Sequence, residues 1–171
     1  LSPSSAASDV YKRQIPESLE EIKSTWMDMA RDKYTNKVPL KPGAREFLVW
    51  LRQQGIRTGI ASSNGIELVE TVLKAQGIQE YLESVHTCCE VPKGKPAPDI
   101  YLLVAETLGV KPEECLVFED VPMGILAGKN AGMRVCAVED TFSASQREEK
   151  KELADYYIES YDEIPRERMQ P

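Results

Sequence analysis

Residues 115–133, CLVFEDVPMGILAGKNAGM, decide how the chain folds. An apolar run, 115–118, reads as a buried strand. Two adjacent carboxylates, Glu119 and Asp120, stand at its end, and a short loop opens a helix faced with Gly124, Ala127, Gly128 and Ala131. Small residues on one face let a helix lie close on a sheet. In a parallel sheet, ligands gather at the carboxyl ends of strands. Two carboxylates there suit a hard cation, and Mg²⁺ is the usual choice beside phosphate.

Outward from this stretch, strand and helix patterns alternate. Helices are expected over 44–54, 66–76 and 99–108, where apolar residues recur at spacings of three and four and Gly55, Gly77 and Gly109 follow as stops. Strands are expected over 56–61, 84–88 and 134–138, with a short edge strand over 155–158. The charged run REEKKE marks 143–153 as an exposed helix. An earlier helix, 15–34, carries Leu19, Ile22, Trp26 and Met29 at helical spacing, and Ser18 with Glu21 fits a capping box. The alternation predicts an α/β fold with a mainly parallel, Rossmann-like sheet.

The chain has 171 residues and a net charge of −7, with its positive residues scattered. A nucleic-acid footprint needs a basic stripe, so nucleic acid and anionic membrane surfaces are disfavoured as partners. No apolar run approaches the roughly 20 residues needed to span a bilayer. Cys88, Cys89, Cys115 and Cys136 lack CxxC spacing and read as reduced, mostly buried thiols of a cytoplasmic protein, with a zinc site disfavoured. The single histidine, His86, lies in a strand-like run and reads as structural.

Three features follow three strands: Ser62, Lys95, and Glu119 with Asp120. Ser62 can donate to a phosphoryl oxygen, helped by the backbone of Ser63 and Asn64 if a helix starts there. Lys95 offers a compact positive charge. Glu119 and Asp120 offer oxygen ligands to Mg²⁺. Taken singly, Ser62 is a turn serine, Lys95 a solvated loop lysine and the acidic pair a strand end or helix cap. Only the ordered set points to one chemistry.

RTGIASSNG, VPKGKPAPDIYL and VFEDVPMGILAGKNAGM resemble, in order, three motifs of the haloacid dehalogenase-like superfamily, in the branch of β-phosphoglucomutases and sugar-phosphate phosphatases. LKPGAREFLVWLRQQG resembles the segment that leads from the family's cap back to its core. The resemblance implies phosphate binding by Ser62, Ser63 and Lys95, with Lys95 catalytic, Mg²⁺ on Glu119 and Asp120, and a weaker substrate contact at Asn64. It implies Mg²⁺-dependent hydrolysis of a small phosphorylated metabolite, with a mutase or a non-catalytic phosphate- and metal-binding protein as alternatives. Oligomeric state is left open.

The family's nucleophile is an aspartate in a DxDG-type motif, and no DxD pair occurs in this chain. The resemblance therefore implies an N-terminally truncated copy, inactive by itself. Residues 1–14, LSPSSAASDVYKRQ, resemble translated sequencing-adaptor sequence and are expected to be an extraneous or disordered tail. Residues 15–38 are expected to be a cap remnant, and 39–165 an incomplete core. The family's first, central strand would lie between 56–61 and 115–118. Without it two hydrogen-bonding edges face a gap, and such edges favour aggregation.

Overall fold

The computed structural model describes residues 16–166. The expected tail over 1–14 lies outside them. The chain divides into two compact units, which part between Val38 and Pro39.

In the first unit, helix α1 spans Leu19–Asn36. The capping box forms as its sequence suggests. Ser18 Oγ accepts from the Glu21 amide at 3.2 Å, and the Glu21 carboxylate accepts from the Ser18 amide at 2.7 Å. None of the α1 residues is buried, and Leu19, Ile22, Trp26 and Met29 are all exposed.

The second unit is α/β. Its elements in order are α2 (Ala44–Gln53), β1 (Gly59–Ser62), α3 (Ile66–Gln76), β2 (Ser84–Thr87), α4 (Asp99–Leu108), β3 (Leu116–Glu119), α5 (Pro122–Asn130), β4 (Arg134–Val138), α6 (Arg147–Leu153) and β5 (Tyr156–Ile158). Every strand pairing is parallel, as helical crossovers require. The strands form two sheets, β1–β2 and β3–β4–β5, with no ladder joining β1 to β3.

Strand β4 is the centre of the larger sheet and is buried on both faces, which fits its apolar run VCAV. Alternation sends Val135 and Ala137 into one core with Ile100, Tyr101, Val117 and Ile125. It sends Cys136 and Val138 into another with Ile158, Leu116 and Phe118. Over that second face α2 places Phe47, whose ring lies 5.4 Å from Phe118 and 5.6 Å from Tyr161. Helix α4 packs on β1 and β2 and also shares the core of β3 and β4.

Three expectations need correction. The first strand begins at Gly59 because Ile56 still belongs to the turn leaving α2, its amide donating to Leu51 O at 2.9 Å. Arg57 is held by Glu83 at 2.9 Å. The 143–153 segment is not a single exposed helix. A short 3₁₀ turn, Ala144–Gln146, precedes α6, and Lys150 within α6 is completely buried. Of the cysteines only Cys136 is buried, because Cys88 and Cys89 leave β2 for a 3₁₀ turn, and Cys89 is exposed. His86 bonds Glu90 at 2.7 Å and Thr107 at 2.9 Å. Among the described residues no helix is long and apolar enough to cross a membrane.

Candidate active site

Strand β3 ends at Glu119, and Pro122 starts α5 three residues later. The turn between them folds the Glu119 carboxylate back against Gly124. A Cβ at Gly124 would collide with that carboxylate, so the glycine makes the space it occupies. Glu119 Oε1 accepts from both Lys95 Nζ and Tyr101 Oη. The Lys95 and Glu119 side chains are 12% and 10% exposed, so this is a largely dry ion pair.

Lys95 comes from the loop after β2, which holds a cis Lys95–Pro96 peptide. Its Nζ also donates to Ala61 O at 3.1 Å and lies 4.9 Å from the centre of the Tyr101 ring. One ammonium thus spans the ends of β1 and β3, which have no ladder between them. Ser62 follows Ala61 directly. Its Oγ accepts from the Asn64 amide at 3.1 Å, forming a small turn at the strand end. That amide is therefore already used, and α3 starts only at Ile66 with Gly65 as its cap. Ser63 Oγ sits 3.7 Å from Cys88 Sγ.

Asp120 is the more open of the two carboxylates and has a different cationic neighbour. Its side chain is 39% exposed and lies 3.5 Å from Lys41 Nζ. Lys41 also binds the Asp140 carboxylate and donates to Glu139 O at 3.1 Å. Ser143 Oγ donates to the Asp120 carbonyl. Lys41, Phe118, Glu119, Asp120, Val138 and Tyr161 line a cleft of about 150 Å³. The structure therefore brings Lys95 onto Glu119 and the end of β1, with Asp120 open on the cleft side.

The local electrostatics follow from burial and pairing. Burial, reinforced by the Glu119 charge, pushes the Tyr101 phenol far above its ordinary range, so it stays a neutral donor. Burial likewise raises Tyr161. The hydrogen bond from Lys41 holds Asp140 below the usual carboxylate range. The hydrogen bond from Arg147, then that from Tyr157, pulls Glu139 down to about 2.

Among the described residues no three His, Cys, Asp or Glu side chains converge on one point. Mg²⁺ does not demand such a cage, since it commonly takes one or two carboxylates and completes its shell with water and phosphate oxygens. The donor set fits that mode. Asp120 is open to the cleft, and Glu119 has its Oε1 engaged by Lys95 and Tyr101, leaving Oε2 beside the Asp120 amide at 3.3 Å.

Sequence reading missed Tyr101, Lys41, Ser143 and Lys150. Tyr101 carried a usable signal, because an apolar-face tyrosine in the first turn after a candidate lysine loop lies close to that loop. The other three are brought together by tertiary contacts alone.

Residues 9–132 match the model of a family described as haloacid dehalogenase-like hydrolase. The chain is 33% identical over 133 residues to YhcW of Bacillus subtilis (strain 168), covering 76% of this chain and 60% of that protein. It is 32% identical over 126 residues to hexitol phosphatase B of Escherichia coli (strain K12), covering 74% and 56%. It thus spans less than two thirds of the length of either. Among solved structures, a CbbY mutant from Rhodobacter sphaeroides in complex with xylulose-(1,5)bisphosphate superposes with a TM-score of 0.77 at 25% identity. That match covers 88% of this chain and 67% of the other.

Proposed function

From a chain that belongs to the haloacid dehalogenase-like hydrolases, we propose the phosphate- and metal-holding part of a Mg²⁺-dependent phosphoric monoester hydrolase acting on small phosphorylated metabolites, sugar phosphates first among them. Lys95 and Ser62 hold the phosphoryl oxygens, with the Ser63 backbone beside them and Asn64 at the substrate's edge. Glu119 and Asp120 hold Mg²⁺. When bound, the ion neutralises charge on the phosphoryl group. Tyr101 keeps Glu119 aimed and excludes water from the Lys95 side. Lys95 does the same for the end of β1, so the phosphate site is rigid before substrate arrives.

The observation that supports this reading is the span of Lys95 Nζ from Ala61 O to Glu119. It links the strand end bearing Ser62 to the strand end bearing the acidic pair. The hydrolase branch is favoured over a mutase because hydrolysis needs only water as the final acceptor. The branch of sugar-phosphate enzymes is favoured by the hexitol phosphatase and CbbY likenesses.

The family acceptor aspartate is not assigned to any residue, since the chain has no DxD pair. The 171-residue chain is therefore expected to bind without turnover. Calorimetric titration of inorganic phosphate, with and without Mg²⁺, tests this. The reading expects binding that Mg²⁺ strengthens and that Lys95→Met weakens at least about tenfold. Phosphate affinity indifferent to both would refute it. Phosphate release from a panel of sugar phosphates by this chain would show that one of its own carboxylates accepts the phosphoryl group, contrary to the assignment.

A further inference from the structure

Lys150 is the largest fully buried side chain of the unit, and it carries a charge. Its Nζ has three acceptors: Ser143 Oγ at 2.9 Å, Val138 O at 3.3 Å and Glu139 Oε2 at 3.4 Å. An ammonium has three protons and no lone pair, so it can only donate. Ser143 Oγ must therefore accept from Lys150, and its own proton is left to point elsewhere. It points to the Asp120 carbonyl. Ser143 is itself buried, so water cannot compete for that proton.

We infer that Lys150, acting through Ser143, is a positioning residue that fixes the backbone at Asp120 and so aims the Asp120 carboxylate at a divalent cation. This rests on the reading of Glu119 and Asp120 as the cation pair. Burying an ammonium is strongly unfavourable unless it is paired. Here Glu139 supplies the opposite charge and is held in place by Arg147 at 2.7 Å and by the Tyr157 hydroxyl. An apolar side chain could fill the same space at no electrostatic cost. It could not force the direction of the Ser143 hydroxyl. Partners that orient a ligand-bearing residue typically change metal affinity by about 10–100-fold when removed.

Mn²⁺ binding to the whole chain, followed by electron paramagnetic resonance alongside thermal unfolding, tests this without any need for turnover. Ser143→Ala is expected to weaken Mn²⁺ at least about tenfold, while Ser143→Thr, which keeps the hydroxyl, stays within about threefold of the parent. Lys150→Met is expected to match Ser143→Ala, and the double variant to lose no more than either one, because both break the same chain of bonds. Should Lys150→Met fail to fold, the Ser143 pair still decides. Unchanged Mn²⁺ affinity in Ser143→Ala, or losses that multiply in the double variant, would overturn the inference. Asp120→Asn separates the two levels. If it abolishes binding while Ser143→Ala does not, only the positioning role falls. If Asp120→Asn leaves binding intact, the cation pair itself is misassigned and the inference falls with it.

Discussion

Replacing Gly124 with alanine sets two effects of opposite sign against each other. In a helix, alanine is favoured over glycine by up to about 1 kcal/mol. Gly124 lies in the first turn of α5, so the gain is at the low end. Against it stands the Glu119 carboxylate, which occupies the space the new methyl needs. The tip of a glutamate usually swings aside cheaply. This one accepts from Lys95 and Tyr101 and is almost dry. Breaking a buried ion pair on one side costs about 3–5 kcal/mol. The net expectation is a loss of roughly 2–4 kcal/mol, from the difference of the helix and ion-pair terms. With a urea slope of about 2 kcal/mol per molar, the middle of the usual range, the midpoint falls by about 1–2 M. Phosphate and Mg²⁺ binding should weaken together with it. Gly128→Ala is the control in the same helix. Its Cβ would meet Val135 Cγ2 at 2.7 Å, away from the site, so stability should fall while ligand binding stays. If Gly124→Ala raised the urea midpoint and left binding unchanged, the Lys95–Glu119–Tyr101 contacts would not be holding that carboxylate, and the site geometry argued from them would fail.

Three other outcomes follow from named contacts. Glu139 has its carboxyl lowered to about 2 in the folded chain, so its pairing stabilises the fold above the ordinary value of 4.5 and is lost as pH falls toward 2. Urea midpoints measured from pH 6 down to about pH 2 should therefore drop less steeply in Glu139→Gln than in the parent. Phe47→Ala removes the ring that joins Phe118 and Tyr161 and should cost about 3–5 kcal/mol, read by denaturant unfolding and by loss of near-ultraviolet dichroism. The exposed thiol of Cys89 should react with an aromatic disulfide reagent in the native chain. Cys136, buried and pushed up to about 11, should react only on unfolding. Equal native rates for the two would contradict the packing of β4.

Local chemistry made the helices legible. Residues 66–76 and 99–108 end where Gly77 and Gly109 adopt left-handed conformations, at φ 59° and 65°, which other residues resist. The Ser18–Glu21 box set the start of α1 in the same way. Side-chain direction within the helices was less legible. Leu103 and Val104 are as apolar as their neighbours yet only partly buried, whereas α4 fully buries Tyr101 and Ala105 beside Ile100 and Leu108. The lost signal is physical: an aliphatic face looks continuous in sequence, but the sheet beneath decides which row touches it. The site shows the same division. Lys95, Glu119 and Ser62 stand where strand ends are readable as apolar runs meeting polar residues. Lys150 lies in a run of six charged residues, 147–152, and charged runs signal solvent. Its burial depends on Val138, Glu139 and Ser143 converging from the preceding strand and turn, which no local window contains.

The absence of a ladder between β1 and β3 also bears on how the unit opens. Backbone hydrogen bonds make strands melt together, and here that cooperativity stops at β1 on one side and at β3 on the other. What crosses is side-chain chemistry, among it one ammonium and the packing of α4 and α2. Amide exchange should therefore resolve two blocks, with β4 the slowest protium to leave and β1–β2 opening at lower free energy. Occupancy of the proposed phosphate site by an anion that touches both Ser62 and Lys95 would fasten the blocks together. Their exchange rates would then converge as ligand is added, turning the site into a latch between two separately breathing halves.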